Sequence, residues 1–128
     1  MSTRSTHPAR SLALLALTAL GIGALAACSG GDDPYHCDFV ATGEEDRCQE
    51  RTLQVPDPAG VTRSGYETLC NTSGGAYGDG PCPEAGRVLG CDITSTGSGE
   101  QVVDWYYAPE TVASVEETCA DEGDVVQP

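Results

Sequence analysis

Seven cysteines in a chain of 128 residues constrain the fold more than any other feature. Six of them follow one another at spacings of 11, 22, 12, 9 and 28 residues, so the sequence lacks the close C-x-x-C pairs of zinc and iron–sulfur sites. An even, widely spaced set is typical of disulfides in an exported protein, and we expect three bridges with no metal and no cofactor. The six cysteines are Cys37, Cys48, Cys70, Cys82, Cys91 and Cys119.

The seventh cysteine, Cys28, follows an N-terminal export signal. Residues 1–10 contain two arginines and no acid, and residues 11–26 are an apolar run without a charge. This run has 16 residues and includes two glycines, whereas a helix needs ~20 residues to span a bilayer. The alternatives are an ordinary secretory signal cut after Ala27 and an uncleaved membrane-spanning helix.

Four residues at the end of the apolar run resemble the lipobox of bacterial lipoproteins: Leu25, Ala26, Ala27 and Cys28. The resemblance implies that a signal peptidase removes residues 1–27, that the Cys28 thiol carries a diacylglycerol, and that the new amino terminus is acylated. Two or more acyl chains would anchor the protein stably in a membrane. In the enterobacterial form of the family's sorting rule, Asp after the cysteine favours the inner membrane. Ser29 stands there instead, so the outer membrane is the expected location.

Acidic residues dominate the chain after the signal. Residues 28–128 hold four arginines, no lysine and twenty acids, a formal net charge of −16. Such a charge argues against binding to nucleic acid or to an anionic lipid surface. Leu, Ile, Val and Phe account for 15 of these 101 residues, below the ~20% at which a highly charged chain is expected to stay disordered. We therefore expect disulfides to decide folding, since three of them contribute on the order of 10 kcal/mol.

Two pairs of segments indicate an internal repeat. Residues 37–43 (CDFVATG) and 91–97 (CDITSTG) share Cys, Asp, Thr and Gly in register. Residues 66–74 and 115–123 share Glu, Cys and Gly at matching offsets. The chain is therefore predicted to contain a duplication.

The second copy predicts the fold of each unit. Two β-prone runs, residues 87–93 and 101–107, flank a Ser/Thr/Gly turn and indicate a hairpin. A helix is predicted to follow, with Pro109 in its first turn and Gly123 as its C-terminal cap. Its shared face consists of Val112, Val115 and Cys119. Each unit is thus predicted to be β-β-α.

These predictions define an α+β fold class: a small disulfide-rich domain of two β-β-α units at residues 36–128. Unit one covers about residues 36–83 and unit two about residues 84–128. Residues 28–35 are predicted to be a flexible, lipidated linker because they are rich in Gly, Asp and Ser.

The repeat also predicts the disulfide pairing. If the units share a fold, the cysteine that leads each hairpin meets the cysteine late in each helix. This gives Cys37–Cys70 and Cys91–Cys119 and leaves Cys48–Cys82. The third bridge would tie the second strand of unit one, where Cys48 aligns with Val102, to the Gly-rich loop 74–83. The alternative set is Cys37–Cys48 with Cys70–Cys82.

A set of motifs runs through most of the mature chain: the paired C-D-hydrophobic hairpins, C-x-x-x-G-G-x-Tyr, Cys-Pro, Gly-x-Cys and Tyr-Tyr. The residues that carry them are Cys70, Gly74, Gly75, Tyr77, Cys82, Pro83, Gly90, Cys91, Tyr106 and Tyr107. This arrangement resembles small cysteine-rich predicted lipoproteins of delta-proteobacteria, the myxobacterial group especially. The chain departs from the pattern at residues 124–126, where an aromatic residue is expected. The resemblance implies an envelope location and a scaffold, and no established activity.

Few residues are candidates for catalysis or for metal binding. The one histidine after the signal, His36, adjoins Cys37 and is interpreted as a surface residue, so no catalytic triad is predicted. Gly97-Ser98-Gly99 lies in the predicted hairpin turn and lacks the spacing of a nucleophile elbow. Two acidic runs, residues 44–46 and 121–124, could offer oxygens to calcium, but they lack the EF-hand spacing and are interpreted as solvated.

The aromatic run 105–107 has two interpretations. In a strand, Trp105 and Tyr107 share one face with Val103, whereas Tyr106 lies on the other. Core packing is the favoured explanation, and presentation of Tyr106 to a partner is the alternative.

The sequence therefore predicts a non-catalytic lipoprotein that is tethered to a membrane through Cys28 and has a binding or structural role at the cell envelope. Its protein or envelope partner is not identified by any motif. A protease-inhibitor-like module is the first alternative, with residues 74–83 as its exposed loop, and a small envelope enzyme is the second.

Overall fold

Six strands and two helices form within residues 33–128, the part of the chain that the computed structural model describes. They are β1 (Tyr35–Asp38), β2 (Arg47–Leu53), α1 (Val61–Thr72), β3 (Ala76–Asp79), β4 (Arg87–Asp92), β5 (Glu100–Tyr107), α2 (Val112–Glu122) and β6 (Asp124–Val126). The predicted signal peptide, residues 1–27, and the predicted lipidation site, Cys28, lie outside the described residues. Tyr35, the last residue of the predicted linker, is fully buried in β1, so the domain begins before residue 36.

All six strands belong to one antiparallel sheet in the order β3-β1-β2-β5-β4-β6. The ladder between β2 and β5 joins the two halves of the chain at the middle of the sheet, where residues 47–53 pair with residues 100–106. In the first half, β1 lies between β2 and β3, and in the second half, β4 lies between β5 and β6. The α+β class and the presence of three disulfides are confirmed.

The third strand of each half is missing from the sequence prediction. The prediction of a single Gly-rich loop at residues 74–83 is wrong, because Ala76–Asp79 pairs with β1 as strand β3. Strand β6, at Asp124–Val126, pairs with β4 in the same way. Strands of three or four residues are too short to display an alternating pattern, and a neighbouring strand determines them. Each half is therefore β-β-α-β and not β-β-α.

Both helices pack on one face of the sheet. Helix α1 lies mainly over β1 and β3, and α2 lies mainly over β4 and β6. The disulfide Cys37–Cys70 joins β1 to α1, and Cys91–Cys119 joins β4 to α2. The apolar residues buried around these two bridges are Tyr35, Phe39, Leu53, Tyr66, Leu89 and Val115. In the described part of the chain, neither helix is long and apolar enough to cross a bilayer.

The segment between β3 and β4 crosses the opposite face. The disulfide Cys48–Cys82 joins it to β2, and Val103, Trp105 and Tyr107 are buried beside the bridge, as strand alternation predicts. Glu50 Oε2 accepts a hydrogen bond from the Trp105 indole N–H at 3.2 Å. This face is therefore a second small core.

Each of the three apolar clusters among the described residues contains one disulfide. The bridges join the pairs that the repeat predicts, with Cα–Cα distances between 5.5 and 6.0 Å: Cys37–Cys70, Cys48–Cys82 and Cys91–Cys119. Such distances suit a disulfide. A chain with few large aliphatic residues thus builds its cores around sulfur atoms.

Helix α2 begins later than predicted. Thr111 is its N-cap, and the Thr111 hydroxyl accepts a hydrogen bond from the Ser114 N–H at 3.2 Å. Pro109 therefore precedes the helix, because the capping hydroxyl and not the proline fixes the first turn. Val115 and Cys119 are buried as predicted, but Val112, the first residue of the helix, is 50% exposed.

Gly123 ends α2 as predicted, but for another physical reason. Its φ is 178°, which is extended backbone and not the left-handed conformation of a typical glycine cap. Its N–H donates to the Cys119 carbonyl at 2.8 Å. A Cβ at this position would clash with the Asp92 carbonyl. Glycine is needed here because β6 starts immediately after the helix and must approach β4.

Candidate functional site

The two central strands have no helix packed directly over them. Strands lie about 4.8 Å apart, so helices centred over the outer strand pairs have axes separated by roughly 19 Å. Side chains fill the middle of the space between them, because Tyr66 of α1 contacts Gln49 and Arg51. We call this space the trough. Its floor is formed by six of the helix-facing side chains of β2 and β5: Arg47, Gln49, Arg51, Val102, Asp104 and Tyr106.

Gln49 and Asp104 lie opposite each other at the centre of the floor. Gln49 Nε2 donates to Asp104 Oδ1 at 2.9 Å, and Arg47 Nη1 donates to Asp104 Oδ2 at 2.8 Å. Asp104 is 2% exposed and is the one charged residue in the buried class among residues 33–128. An isolated buried carboxylate is costly, so these two donors stabilise its charge.

Arg47 connects the central pair to one end of the trough. Besides Asp104, it pairs with Glu45, whose carboxylate lies 2.7 Å from Nη2. Burial lowers the pKa of the Arg47 guanidinium, but the two carboxylates raise it by more, so the net pKa is raised. Arg47 is therefore held as a cation by acids on two sides.

Arg51 connects the central pair to the other end. Gln49 Oε1 accepts hydrogen bonds from Arg51 Nη2 at 3.0 Å and from the Tyr66 hydroxyl at 3.1 Å. Arg51 Nη1 pairs with Glu100 at 2.7 Å. Burial raises the pKa of Tyr66 to about 12, and the neighbouring Arg51 opposes this only in part. The Tyr66 hydroxyl is thus a hydrogen-bond donor across the physiological range.

A cavity of about 340 Å³ opens at each end of the trough. Five carboxylates line the cavity at the Arg47 end, together with Arg47 and Tyr106: Glu45, Asp46, Asp104, Glu110 and Glu122. The cavity at the Arg51 end is nearly neutral and is lined by Arg51, Ile93, Ser95, Ser98, Glu100 and Val102. The two ends therefore differ in charge.

All four arginines among residues 33–128 pair with acids and also stack on aromatic rings. The distances from guanidinium carbon to ring centroid lie between 4.1 and 5.2 Å, for Arg47 over Phe39, Arg51 over Tyr66, Arg63 over Tyr35 and Arg87 over Trp105. The sequence contains no lysine. The cations of the domain are thus neutralised internally, and the remaining exposed charge is negative.

The two acidic runs that the sequence analysis keeps apart meet at the same place. Glu45 and Asp46 from the first run and Glu122 from the second line the cavity at the Arg47 end. Tyr106 lies there as well, on the face opposite Trp105, as strand alternation predicts. Among residues 33–128, no group of three or more His, Cys, Asp or Glu side chains is arranged to hold a metal ion.

The remaining sequence candidates lie elsewhere. The Nδ1 of His36 hydrogen-bonds the Gly80 carbonyl at 2.9 Å, and its ring lies against Gly78. Ser98 Oγ donates to the Glu100 carbonyl at 2.8 Å within the β4–β5 turn. Within the part of the chain that the structure describes, both side chains hydrogen-bond backbone groups and neither hydrogen-bonds another side chain.

The floor residues Arg47, Gln49 and Asp104 belong to none of the sequence motifs described above. One signal was available, because Asp104 is the single charged residue within the β-prone run 101–107. A carboxylate in such a run predicts a buried, partnered group. Its partners come from a different strand, 55 and 57 residues away, and no local pattern identifies them.

The chain matches no family model, no curated protein and no solved structure.

Proposed function

We propose that this protein is a lipid-anchored, non-catalytic binding protein of the bacterial cell envelope, located at the outer membrane. The resemblance of residues 25–28 to the lipobox supports an acyl anchor on Cys28. The six bonded cysteines support export, because disulfides persist in oxidising compartments. The binding role rests on the trough.

The concave face between the two helices, with a cavity of about 340 Å³ at each end, is the observation that carries the binding role. A sheet face between two helices is a concave surface, and ligands bind preferentially at concave surfaces. Hydrogen bonds fix the central side chains of the floor in the absence of a partner, and disulfides hold the helices that flank it. A pre-organised surface loses little conformational entropy on binding. The titratable groups of the floor are paired with one another and not with a nucleophile, so no reaction is proposed.

We also propose that the two β-β-α-β halves descend from a duplication. The strand order supports it, since the second, first and third strands follow one another outward from the central ladder in both halves. The Cys37–Cys70 and Cys91–Cys119 bridges join equivalent elements. Gln49 is the partner of Cys37 and Asp104 is the partner of Cys91, which puts Gln49 and Asp104 at equivalent positions.

If the halves are duplicates, this register shifts the sequence alignment by one residue. The alignment matches Cys48 to Val102, whereas the strand pairing matches it to Val103. The second hairpin is one residue longer, since 12 residues separate Cys37 from Gln49 and 13 separate Cys91 from Asp104. An inserted turn residue shifts every later position of the strand.

Non-reducing peptide mass mapping of the protein extracted from its native membrane tests the anchor. We expect an N-terminal peptide that begins at Cys28 and carries a diacylglycerol and an amide-linked acyl chain. The Cys28→Ser variant should lose the acyl mass and leave the washed membrane fraction, whereas the control Ser29→Ala should keep both. An unmodified amino terminus at Cys28 would contradict the anchor.

A further inference from the structure

We propose that residues 54–61 and 93–99 dock on the lipid bilayer, with the side chains of Val55 and Val61 inserted at the membrane interface. This inference rests on the proposed acyl anchor on Cys28 and adds to it the orientation of the domain. The first segment is the β2–α1 loop with the first residue of α1, and the second is the β4–β5 turn. We call the two segments together the docking surface.

The chain from the anchor enters the domain beside the docking surface. Tyr35, the first residue of β1, lies opposite Arg51 near the end of β2. Arg63, in the first turn of α1, donates to the Asp33 carbonyl at 2.7 Å. Acyl chains hold Cys28 at the bilayer, and the five residues from Cys28 to Asp33 span at most about 18 Å. The end of the domain that carries the docking surface is therefore held next to the bilayer.

The loop and the turn form one continuous surface. The Gln54 N–H donates to the Gly99 carbonyl at 2.8 Å. The Val55 side chain also lies against Gly99, since a Cβ there would come within 3.1 Å of a Val55 methyl. Even so, Val55 is 51% exposed and Val61 is 67% exposed. Exposed apolar side chains gain free energy when they enter the interfacial region of a bilayer.

The charge of the docking surface suits this position. Residues 93–99 contain no charged side chain, and residues 54–61 contain only Asp57. The Asp57 carboxylate accepts hydrogen bonds from the N–H groups of the first two residues of α1 at 3.1 and 2.9 Å, so the helix N-terminus offsets its charge. The β1–β2 loop, at the opposite end of the sheet, contains three consecutive acids at residues 44–46. Anionic headgroups would turn that end away from the membrane.

The anchor allows a small apolar contact to orient the domain. A domain held by acyl chains does not diffuse away, so docking is an intramolecular step. A short flexible linker gives such a step an effective concentration in roughly the millimolar range. Two valines that would not bind a free acidic protein to a membrane can therefore orient a tethered one.

Fluorescence quenching by lipid tests the docking on the mature lipidated protein in phosphatidylcholine vesicles. The vesicles carry plain or brominated acyl chains, and bromine quenches tryptophan only at short range. The test variants are Val55→Trp and Val61→Trp. In each, we expect brominated lipid to remove about half of the fluorescence that the new tryptophan adds, because interfacial segments reach roughly 5–10 Å into the bilayer. The native Trp105 is 6% exposed, and its signal in the unsubstituted protein is subtracted.

The matched control is Val112→Trp. Val112 is 50% exposed and follows the end of β5, where the Tyr107 N–H donates to the Asp46 carbonyl at the opposite end of the sheet. Its added fluorescence should fall by less than about a tenth. Peptide mass mapping first verifies the three disulfides of every variant. Equal quenching in Val55→Trp and Val112→Trp overturns the proposal, because the domain would then have no preferred orientation.

A second substitution separates apolar docking from proximity to the anchor. Adding Val61→Asp to Val55→Trp places a carboxylate at the interface and should reduce the quenching at least about twofold. Leu69→Asp makes the same change at a 58% exposed position of α1, about 12 Å further along the helix, and should leave the quenching as it was. Quenching that survives Val61→Asp overturns the proposal, because the tether alone would then place the tryptophan. An equal decrease with Leu69→Asp also overturns it, because quenching would then follow net charge.

The anchor and the docking fail in different measurements. Flotation of the protein with the vesicles reports the anchor, whereas quenching reports the docking. Protein that does not float refutes the acyl anchor on Cys28 and the docking that rests on it. Protein that floats but shows no quenching in Val55→Trp or Val61→Trp keeps the anchor and refutes the docking.

Discussion

Gln49 and Asp104 are cross-strand partners at the centre of the β2–β5 ladder, and the Gln49 amide donates to the Asp104 carboxylate at 2.9 Å. Each is also the partner of a disulfide cysteine on its other side, Cys37 for Gln49 and Cys91 for Asp104. None of the three disulfides joins the half before residue 84 to the half after it. Apart from the chain itself, the halves are therefore held together by the central ladder and by contacts on the opposite face, where Arg87 and Tyr107 donate to the carbonyls of Cys82 and Pro83.

Replacement of Asp104 should weaken this central contact. Asp104→Ala leaves Arg47 without its buried partner and Gln49 Nε2 without an acceptor. We expect the free energy of unfolding to fall by about 3 kcal/mol, the usual cost of breaking a buried pair from one side. The control is Glu45→Ala, which removes the exposed partner of Arg47 and should cost less than about 1 kcal/mol. Denaturant unfolding of the oxidised proteins measures both, and equal losses would contradict a central role for Asp104.

The hydroxyl of Tyr35 should be a source of instability. Tyr35 is fully buried, and its hydroxyl has no hydrogen-bond partner. An unsatisfied buried hydroxyl costs about 1–3 kcal/mol, so Tyr35→Phe should stabilise the fold by about 1 kcal/mol. Tyr66→Phe is the control, because the Tyr66 hydroxyl donates to Gln49 and its removal should destabilise by about 1 kcal/mol. Melting temperatures that fall in both variants would show that the Tyr35 hydroxyl has a partner.

Stability should decrease at alkaline pH. Burial raises the pKa of all five tyrosines, and that of Tyr66 reaches about 12. Unfolded tyrosines lose their protons near pH 10 while folded ones keep them, so the unfolded state binds fewer protons as pH rises. The contribution of these tyrosines to the free energy of unfolding is therefore fully present below about pH 10 and is lost as the pH rises towards 12. Phenolate absorbance after a rapid pH jump measures the ionisation of the tyrosines in the folded protein. The Tyr66→Phe variant should show a flatter decline of the free energy of unfolding with rising pH. Phenolate formation near pH 10 in the folded protein would contradict the raised tyrosine pKa values.

The predictability of this fold varies from one element to the next. The hairpin of β4 and β5 and the helix α2 follow patterns within about 20 residues of sequence, and the structure contains both. Strands β3 and β6 form because β1 and β4 each have a free edge, and their own residues carry little signal. The trough requires β2 to pair with β5, which depends on packing between the two halves.

Three glycines offer a matched test of backbone packing. A Cβ on Gly90 would lie 2.7 Å from the Trp105 ring, on which the Arg87 guanidinium also stacks. Gly90→Ala should therefore destabilise by about 2 kcal/mol. A Cβ on Gly123 would meet the Asp92 backbone, so Gly123→Ala should cost at least as much. Gly65 lies inside α1 with open space around it, and Gly65→Ala should stabilise by about 0.5–1 kcal/mol. A common direction of change in all three melting temperatures would refute this ranking.

A cut between the halves should leave a non-covalent complex. A specific protease site inserted between Ala85 and Gly86, which are both exposed, would be cleaved without touching a strand. Because no bridge crosses this point, we expect the two fragments to remain together in native buffer and to separate in denaturant without a reductant. Native mass spectrometry before and after denaturation measures this. The same cut in Asp104→Ala should release the fragments at a lower denaturant concentration, because the central pair is then missing. Fragments that separate only after reduction would reveal a bridge between the halves and refute this connectivity.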